Sequence, residues 1–173
     1  MSTEAIPFPV RRTRDWRLPL LVLSAVVVLV DRLTKIWVVK HVLPGSAIVV
    51  IPKVFRITHV LNSGAAFSLF ADTMSPGVVR KALIAFSVIA VLVVLAMLWK
   101  LGRRLSVTSL SLALILGGAI GNMYDRARLF YVVDFLEVHI ARYHWPDFNV
   151  ADSCIVIGAC LLLLEIFRGG KVE

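Results

Sequence analysis

Two aspartates, Asp134 and Asp152, lie in or beside apolar segments, where an unpaired negative charge is energetically unfavourable. Asp134 lies in the run Val-Val-Asp-Phe at 132–135, and Asp152 stands at the head of an apolar run that continues to Phe167. A carboxyl group at the edge of a membrane segment is a candidate functional residue, because the bilayer penalises its charge. Two neighbouring carboxyls resist ionising together and share a proton, which suits acid–base hydrolysis. The pair predicts an aspartyl hydrolase built into a membrane.

The composition supports a membrane protein. Of 173 residues, 59% are hydrophobic, and the mean hydropathy is +0.87; a soluble domain is usually about 45–50% apolar. The net charge is +8, but the basic residues flank apolar segments and form no stripe. This arrangement favours an anionic membrane surface over nucleic acid as a partner. Cys154 and Cys160 are six apart in one apolar run and would lie on different helix faces, so no disulfide framework is implied. Both are interpreted as small core residues.

Four apolar stretches are long enough to cross a bilayer, which takes about 20 residues. They cover residues 18–39, 82–99, 106–124 and 150–167. Arginines precede the first stretch as in a secretory signal, but no small-residue cleavage site follows it, so we predict a retained helix. The predicted fold is an all-α polytopic membrane protein. It is a single domain over residues 1–173, with four transmembrane helices and a small extracytoplasmic β-sheet.

The sidedness of these spans follows from the density of Lys and Arg. Residues 1–17, 100–105 and 168–173 hold nine such residues in 29, whereas residues 40–81 and 125–149 hold eight in 67. The denser side is expected to be cytoplasmic. Both termini, including the segment 1–17, are therefore predicted inside. Asp134 and Asp152 then face the outer side.

The first outer loop predicts the sheet. Residues 48–51 and 54–60 are rich in β-branched and apolar side chains and flank a turn at Pro52-Lys53. The second run partly alternates apolar and polar residues, as a half-exposed strand does. We expect two strands on the outer membrane surface. The second outer loop carries Tyr143 and Trp145, whose rings favour the headgroup level.

Other polar residues lie inside or beside the spans. Asp31 and Lys35 are four apart on the first helix and are expected to pair, either as a structural ion pair or to hold substrate or the sheet. Asn122 and Arg126 share a helix face and would orient a carbonyl or carboxylate. Alternatively, Asp125 and Arg126 form only a solvated helix end, which is the commoner outcome for such charges.

Several alternatives compete with the aspartate pair. Asp152 alone would serve as a simple helix cap, although Asn149 would cap equally well. The histidines form no H-E-x-x-H pattern, and neither a G-x-S-x-G elbow nor a phosphate loop is present. A serine–lysine dyad of Ser68 and Lys40 has no supporting spacing. A proton or ion carrier would use the acidic residues as relays, but they cluster toward the outer side. A scaffold protein would tolerate Asp→Asn changes at both sites.

Five motifs, in order, resemble the bacterial lipoprotein signal peptidase family, also called signal peptidase II. They run from about residue 20 to residue 167, and each is short, so the specificity comes from their order among four spans. The motifs are Asp31-x-x-x-Lys35, Asn62-x-Gly64-Ala65-Ala66-Phe67, Gly118-Ala119-x-Gly121-Asn122-x-x-Asp125-Arg126, Val133-Asp134-Phe135 and Phe148-Asn149-Val150-Ala151-Asp152-Ser153.

The resemblance implies an aspartyl peptidase of the bacterial inner membrane that needs neither metal nor cofactor. Its expected partners are membrane lipid and prolipoproteins, whose signal peptides the family removes just before a cysteine that carries diacylglycerol. Asp134 and Asp152 match the family's catalytic pair. The residues that match substrate-binding or site-supporting positions are Asn62, Gly64, Asn122, Arg126, Asn149, Asp31 and Lys35.

Overall fold

A computed structural model describes residues 14–63 and 76–169, and this part of the chain contains four helices and four strands. The chain order places a strand pair after the first helix and another after the third. The elements are α1 (Arg17–His41), β1 (Ala47–Ile51), β2 (Phe55–Asn62), α2 (Pro76–Leu101), α3 (Val107–Arg128), β3 (Val132–Ile140), β4 (Tyr143–His144) and α4 (Val150–Gly169).

Three of these helices, α2, α3 and α4, are long and apolar enough to cross a membrane. The first helix, α1, has 25 residues, but Asp31, Arg32 and Lys35 interrupt its apolar sequence. The four predicted helices are therefore confirmed as helices, each somewhat longer than its predicted span. The count of four membrane spans stays a prediction.

Small residues bring the helices into close contact along α3. A Cβ atom added at Gly117 would lie 2.7 Å from the carbonyl oxygen of Ser24 on α1, and one at Gly118 would collide with the backbone of Ala151 on α4. Such close approach is the usual role of glycine between membrane helices. It holds the start of α4 against the middle of α3.

Two apolar clusters fix the bundle and the sheet. One consists of Leu20, Leu98, Leu112, Ala113 and Leu116 and joins α1, α2 and α3. The other consists of Val38, Val42, Val133 and Phe135 and joins the end of α1 to β3. The second cluster anchors the sheet on α1, so that β3 has a fixed position relative to the helices.

The four strands form one antiparallel sheet in the order β1-β2-β3-β4. The strands β1 and β2 were predicted, but β3 and β4 were not, and Asp134 lies on β3 instead of in a loop. The residues of β3 are buried on both faces over most of its length. A strand covered on both faces lacks the alternation of apolar and polar residues by which strands are recognised. That is why the sequence did not indicate it.

An ion pair joins β2 to β3 at the far end of the sheet. The Arg56 guanidinium donates to both carboxylate oxygens of Glu137, with Nε at 2.5 Å from Oε2. These hydrogen bonds lower the pKa of Glu137 to about 2, although burial opposes the shift. Glu137 is therefore charged at any ordinary pH. Cys154 and Cys160 are both free, but Cys154 is only partly buried and Cys160 is exposed, so the interpretation of both as core residues is wrong.

Candidate active site

Asp134 lies on β3 with only 3% of its surface exposed. Its two carboxyl oxygens accept hydrogen bonds from two asparagines. The Nδ2 atom of Asn149 donates to Oδ1 at 2.7 Å, and Nδ2 of Asn62 on β2 donates to Oδ2 at 2.8 Å. The structure therefore brings together three residues that the sequence placed in separate motifs.

Asp152 lies in the first turn of α4 and forms a reciprocal cap with Asn149. The Asn149 side-chain oxygen accepts from the Asp152 backbone N–H at 2.9 Å, and Oδ2 of Asp152 accepts from the Asn149 N–H at 3.3 Å. This arrangement is a capping box, in which each residue satisfies a backbone donor of the other. The alternatives of Asp152 or Asn149 as the cap are therefore both partly right. The Oδ1 atom of Asp152 is engaged separately, by Nδ2 of Asn122 at 2.7 Å.

A backbone bridge holds the start of α4 beside β3. The carbonyl oxygen of Phe148 accepts hydrogen bonds from the backbone N–H groups of Phe135 at 2.9 Å and Leu136 at 2.8 Å. The Phe148 N–H in turn donates to the carbonyl oxygen of Leu136 at 3.1 Å. Phe148 directly precedes Asn149, the cap of α4. The bridge therefore holds this cap next to the part of β3 that contains Asp134. The proximity of the two aspartates thus depends on backbone pairing between distant parts of the chain.

The asparagine amides have only one orientation that satisfies their partners. The Asn149 oxygen faces the N–H of Asp152, so its Nδ2 faces Asp134. The Lys35 ammonium, which can only donate, contacts Oδ1 of Asn122 at 3.2 Å. This contact turns Nδ2 of Asn122 toward Asp152. The two asparagines therefore present hydrogen-bond donors to both carboxyl groups.

A buried charge cluster lies behind these asparagines. The Lys35 ammonium is 2.8 Å from a carboxylate oxygen of Asp31 and 2.8 Å from one of Asp125. The predicted pairing of Asp31 with Lys35 is confirmed. The other Asp31 oxygen accepts from the Ala151 N–H at 2.9 Å, which ties the cluster to the first turn of α4. Arg32 approaches Asp125 at 3.4 Å.

The interpretation of Asp125 as a solvated helix end is wrong. Asp125 is 1% exposed, and α3 continues to Arg128, four residues beyond the predicted span. The helix extends because its last turn faces Lys35 and Arg32 rather than water. The burial of Asp125 had no local signal in the sequence, because its partners Arg32 and Lys35 lie about 90 residues earlier.

Two predicted site residues are less defined. Arg126 is partly exposed, and its Nη1 donates to the backbone oxygen of Asn122 at 3.4 Å. Its role in orienting a substrate carbonyl stays a prediction. Gly64 and the residues 65–67 of the same motif lie outside the described residues.

Burial makes Asp134 a weaker acid than an ordinary aspartate. Desolvation, opposed by the hydrogen bonds from Asn62 and Asn149 and assisted by the nearby charge of Asp152, raises the pKa of Asp134 to about 6. The coupling to Asp152 means that the two carboxyls are electrostatic neighbours. A carboxyl group with this pKa is able to hold a proton close to neutral pH, whereas an ordinary one would not.

The fold and the site define a helical membrane protein with a pair of asparagine-linked aspartates where the bundle meets a small sheet. Residues 23–168 match the sequence model of a family described as "Signal peptidase (SPase) II". The chain belongs to this family, which is one of proteases. The resemblance found in the five motifs is therefore confirmed.

Relatives of known name agree with this placement. The chain is 47% identical over 161 residues to a lipoprotein signal peptidase of Pseudomonas putida, covering 92% of this chain and 93% of the relative. It is 43% identical over 150 residues to a lipoprotein signal peptidase of Burkholderia mallei, covering 87% and 88%. A solved structure, described as a bacterial membrane enzyme determined by the in meso method at 1.9 Å, matches with a TM-score of 0.80 and 25% identity, covering 91% and 97%.

Proposed function

We propose that this protein is an aspartyl endopeptidase that removes signal peptides from diacylglyceryl-modified prolipoproteins, cleaving before the lipidated cysteine. One observation carries the catalytic part: Asn149 donates its side-chain amide to the Asp134 carboxyl group and its backbone N–H to the Asp152 carboxyl group, which places both in one network. The substrate class rests on the relatives, which are named lipoprotein signal peptidases.

The environments of the two aspartates suggest different roles. Asp152 lies at a helix N-terminus and accepts hydrogen bonds from the Asn122 side-chain amide and the Asn149 backbone N–H. Both features favour a negative charge on its carboxyl group. We assign it as the base that takes a proton from the attacking water. Asp134, whose pKa is raised to about 6, would hold a proton and donate a hydrogen bond to the oxygen of the scissile carbonyl.

The proton count closes over one cycle. As water adds to the carbonyl carbon, Asp152 receives the water proton and Asp134 transfers its own to the carbonyl oxygen. Collapse of the tetrahedral intermediate breaks the C–N bond, Asp152 delivers its proton to the leaving amine, and Asp134 recovers a proton from the hydroxyl. The pair returns to its starting state. Neither metal nor cofactor takes part in this scheme.

The supporting residues keep the carboxyl groups in place. Asn62 and Asn149 hold both oxygens of Asp134, and Asn122, itself oriented by Lys35, holds Asp152. Binding and catalytic groups fixed in this manner avoid reorganisation during the reaction. We propose that Gly64 and Arg126 contribute to binding the substrate backbone.

The proposed location is the bacterial inner membrane, with both termini cytoplasmic and the site on the outer side. The first helix supports a fourth span despite its charges. Its apolar side chains Leu18, Val22, Leu29 and Leu33 are exposed on the surface of the bundle. Its charges Asp31 and Lys35 turn inward and neutralise each other, as intramembrane charges usually do.

Purified protein in detergent, mixed with a prolipoprotein precursor, tests the proposal. We expect cleavage of the diacylglyceryl-modified precursor, with the lipidated cysteine as the new N-terminus by mass spectrometry, and much slower cleavage of the unmodified form. Detergent micelles sustain no ion gradient, so turnover there would exclude a carrier as the explanation. No cleavage of the modified precursor by folded protein would overturn the proposal.

A further inference from the structure

A second group of polar side chains lies on the outer end of the sheet. The potential ligand atoms of Glu137, His139 and His144 all lie within 4.8 Å of one another. His139 and His144 are direct cross-strand partners on β3 and β4, and their ring centroids are 5.0 Å apart. Glu137 is two residues before His139, so its side chain lies on the same face of the strand. Backbone pairing thus fixes all three side chains.

The three side chains converge on one point. The Nε2 atoms of His139 and His144 lie 2.9 Å and 2.8 Å from the same carboxylate oxygen, Oε1 of Glu137. The Arg56 guanidinium donates to that oxygen as well. Three nitrogen atoms therefore crowd onto one carboxylate oxygen, which has two lone pairs. A tetrahedral zinc site, with bonds of about 2.0–2.2 Å, separates its ligand atoms by roughly 3.3 Å. The two nitrogen–oxygen distances would have to lengthen by only about 0.5 Å to match such a site.

We propose that Glu137, His139 and His144 form a binding site for a divalent transition-metal cation such as Zn²⁺. Two imidazoles and one carboxylate are a ligand set that such cations favour. Each ring would coordinate through Nε2 and keep its proton on Nδ1. Arg56 would stay on the other oxygen, Oε2, which it contacts at 2.5 Å. A hydrogen bond of that kind orients a ligating carboxylate from outside the metal's own shell.

The site is open to water and separate from the aspartate pair. The His144 side chain is 48% exposed and that of His139 28%, so a cation reaches the ligands from solvent and water completes its coordination. Glu137 lies three residues after Asp134 on β3, which is about 10 Å along a strand at roughly 3.3 Å per residue. The metal would therefore clamp β3 to β4 without touching the reacting groups.

Zinc titration of the full chain tests this site. The protein is purified with a tag that contains no histidine, stripped with a chelator, and titrated with Zn²⁺ by calorimetry in detergent. We expect one Zn²⁺ per chain. The substitutions His144→Asn and His139→Asn should each weaken binding by more than about tenfold, since losing even an outer partner of a metal ligand costs 10–100-fold. His41→Asn, at an exposed histidine bonded to the Trp37 carbonyl oxygen, is the matched control and should bind as the original chain does.

Two further measurements complete the test. X-ray absorption of the loaded protein should show two imidazole nitrogens and a carboxylate oxygen at about 2.0–2.2 Å from the metal. Zinc should also raise the melting temperature of the original chain, and of neither His139→Asn nor His144→Asn, because a ligand that binds only the folded state stabilises it. Absence of Zn²⁺ binding, or equal binding by the variants, would overturn the proposal.

Discussion

The side-chain amide of Asn149 donates to Asp134 at 2.7 Å while its oxygen caps α4. One side chain thus couples a carboxyl on a strand to the start of the helix that carries the second carboxyl. The position of the aspartate pair is therefore set by the junction of sheet and bundle, and any change that loosens the cap should also move the site.

Removing this link should affect both stability and activity. Asn149→Ala loses the helix cap, which costs about 1 kcal/mol, and leaves Oδ1 of Asp134 without its donor. A shift of the carboxyl groups by about 1 Å would lower kcat/KM on the order of 10²-fold. Ser106→Ala is the matched control, because Ser106 caps α3 through its own capping box with Ser109. It should lose similar stability yet keep its activity per folded molecule. Equal kcat/KM in both variants would contradict the coupling.

Lys35 neutralises two buried carboxylates, so its removal should be costly. In Lys35→Met, both Asp31 and Asp125, each 1% exposed, lose their closest cation. Breaking a buried pair in this way costs about 3–5 kcal/mol. We expect a large loss of folded protein and of melting temperature, more than of activity per folded molecule. Lys40→Met, at an exposed position of the same helix, should change little. Normal stability with lost activity would instead assign Lys35 to the substrate site.

The sequence predicted the long apolar helices and the pair of Asp31 and Lys35, because both depend on local spacing. It also predicted the strands β1 and β2, whose residues are β-branched and lie next to each other along the chain. It did not predict β3, since burial on both faces removes the alternating pattern. The hydrogen bond from Asn149 to Asp134 and the burial of Asp125 were missed for a related reason. Each depends on partners that only the assembled fold brings near.

The acidity of Asp134 predicts a pH dependence of activity. If the protonated form of Asp134 is required, kcat/KM should fall as the pH rises through about 6. Because the charge of Asp152 raises this pKa, Asp152→Asn should lower it. Carbon-13 NMR of labelled aspartate follows the titration directly, even in an inactive variant. An unchanged titration in Asp152→Asn would argue against coupling.

Stability should depend on pH through the same group. The pKa of Asp134 rises from an ordinary 3.8 to about 6 on folding, so the folded state binds the proton more tightly. Its favourable contribution is complete below pH 3.8 and is lost as the pH rises through about 6. The difference amounts to about 3 kcal/mol. Melting temperatures over this range should show the loss in the original chain and not in Asp134→Asn. Parallel curves for the two proteins would contradict the raised pKa.

The orientation in the membrane is testable with reporters. A reporter inserted near His144 should be extracytoplasmic, and one fused after Glu173 should be cytoplasmic, because the Lys- and Arg-rich segments stay inside. An alkaline phosphatase and a fluorescent protein, compared at both positions, report opposite sides. A cytoplasmic His144 would place Asp134 in the wrong compartment for the proposed reaction.

The most direct test measures cleavage of the lipid-modified precursor by Asp134→Asn and Asp152→Asn at matched concentrations of folded protein. Both singles should fall to background, and the double variant should be no worse than either, since groups that act as a unit lose their contribution together. Folding should remain near normal. Asp134→Asn removes a buried charge, which stabilises the fold. It also turns the new amide N–H group toward one of the two asparagine N–H groups that Asp134 accepts from, which destabilises it. The two effects oppose each other. Substantial turnover by either folded single variant would contradict an aspartyl mechanism.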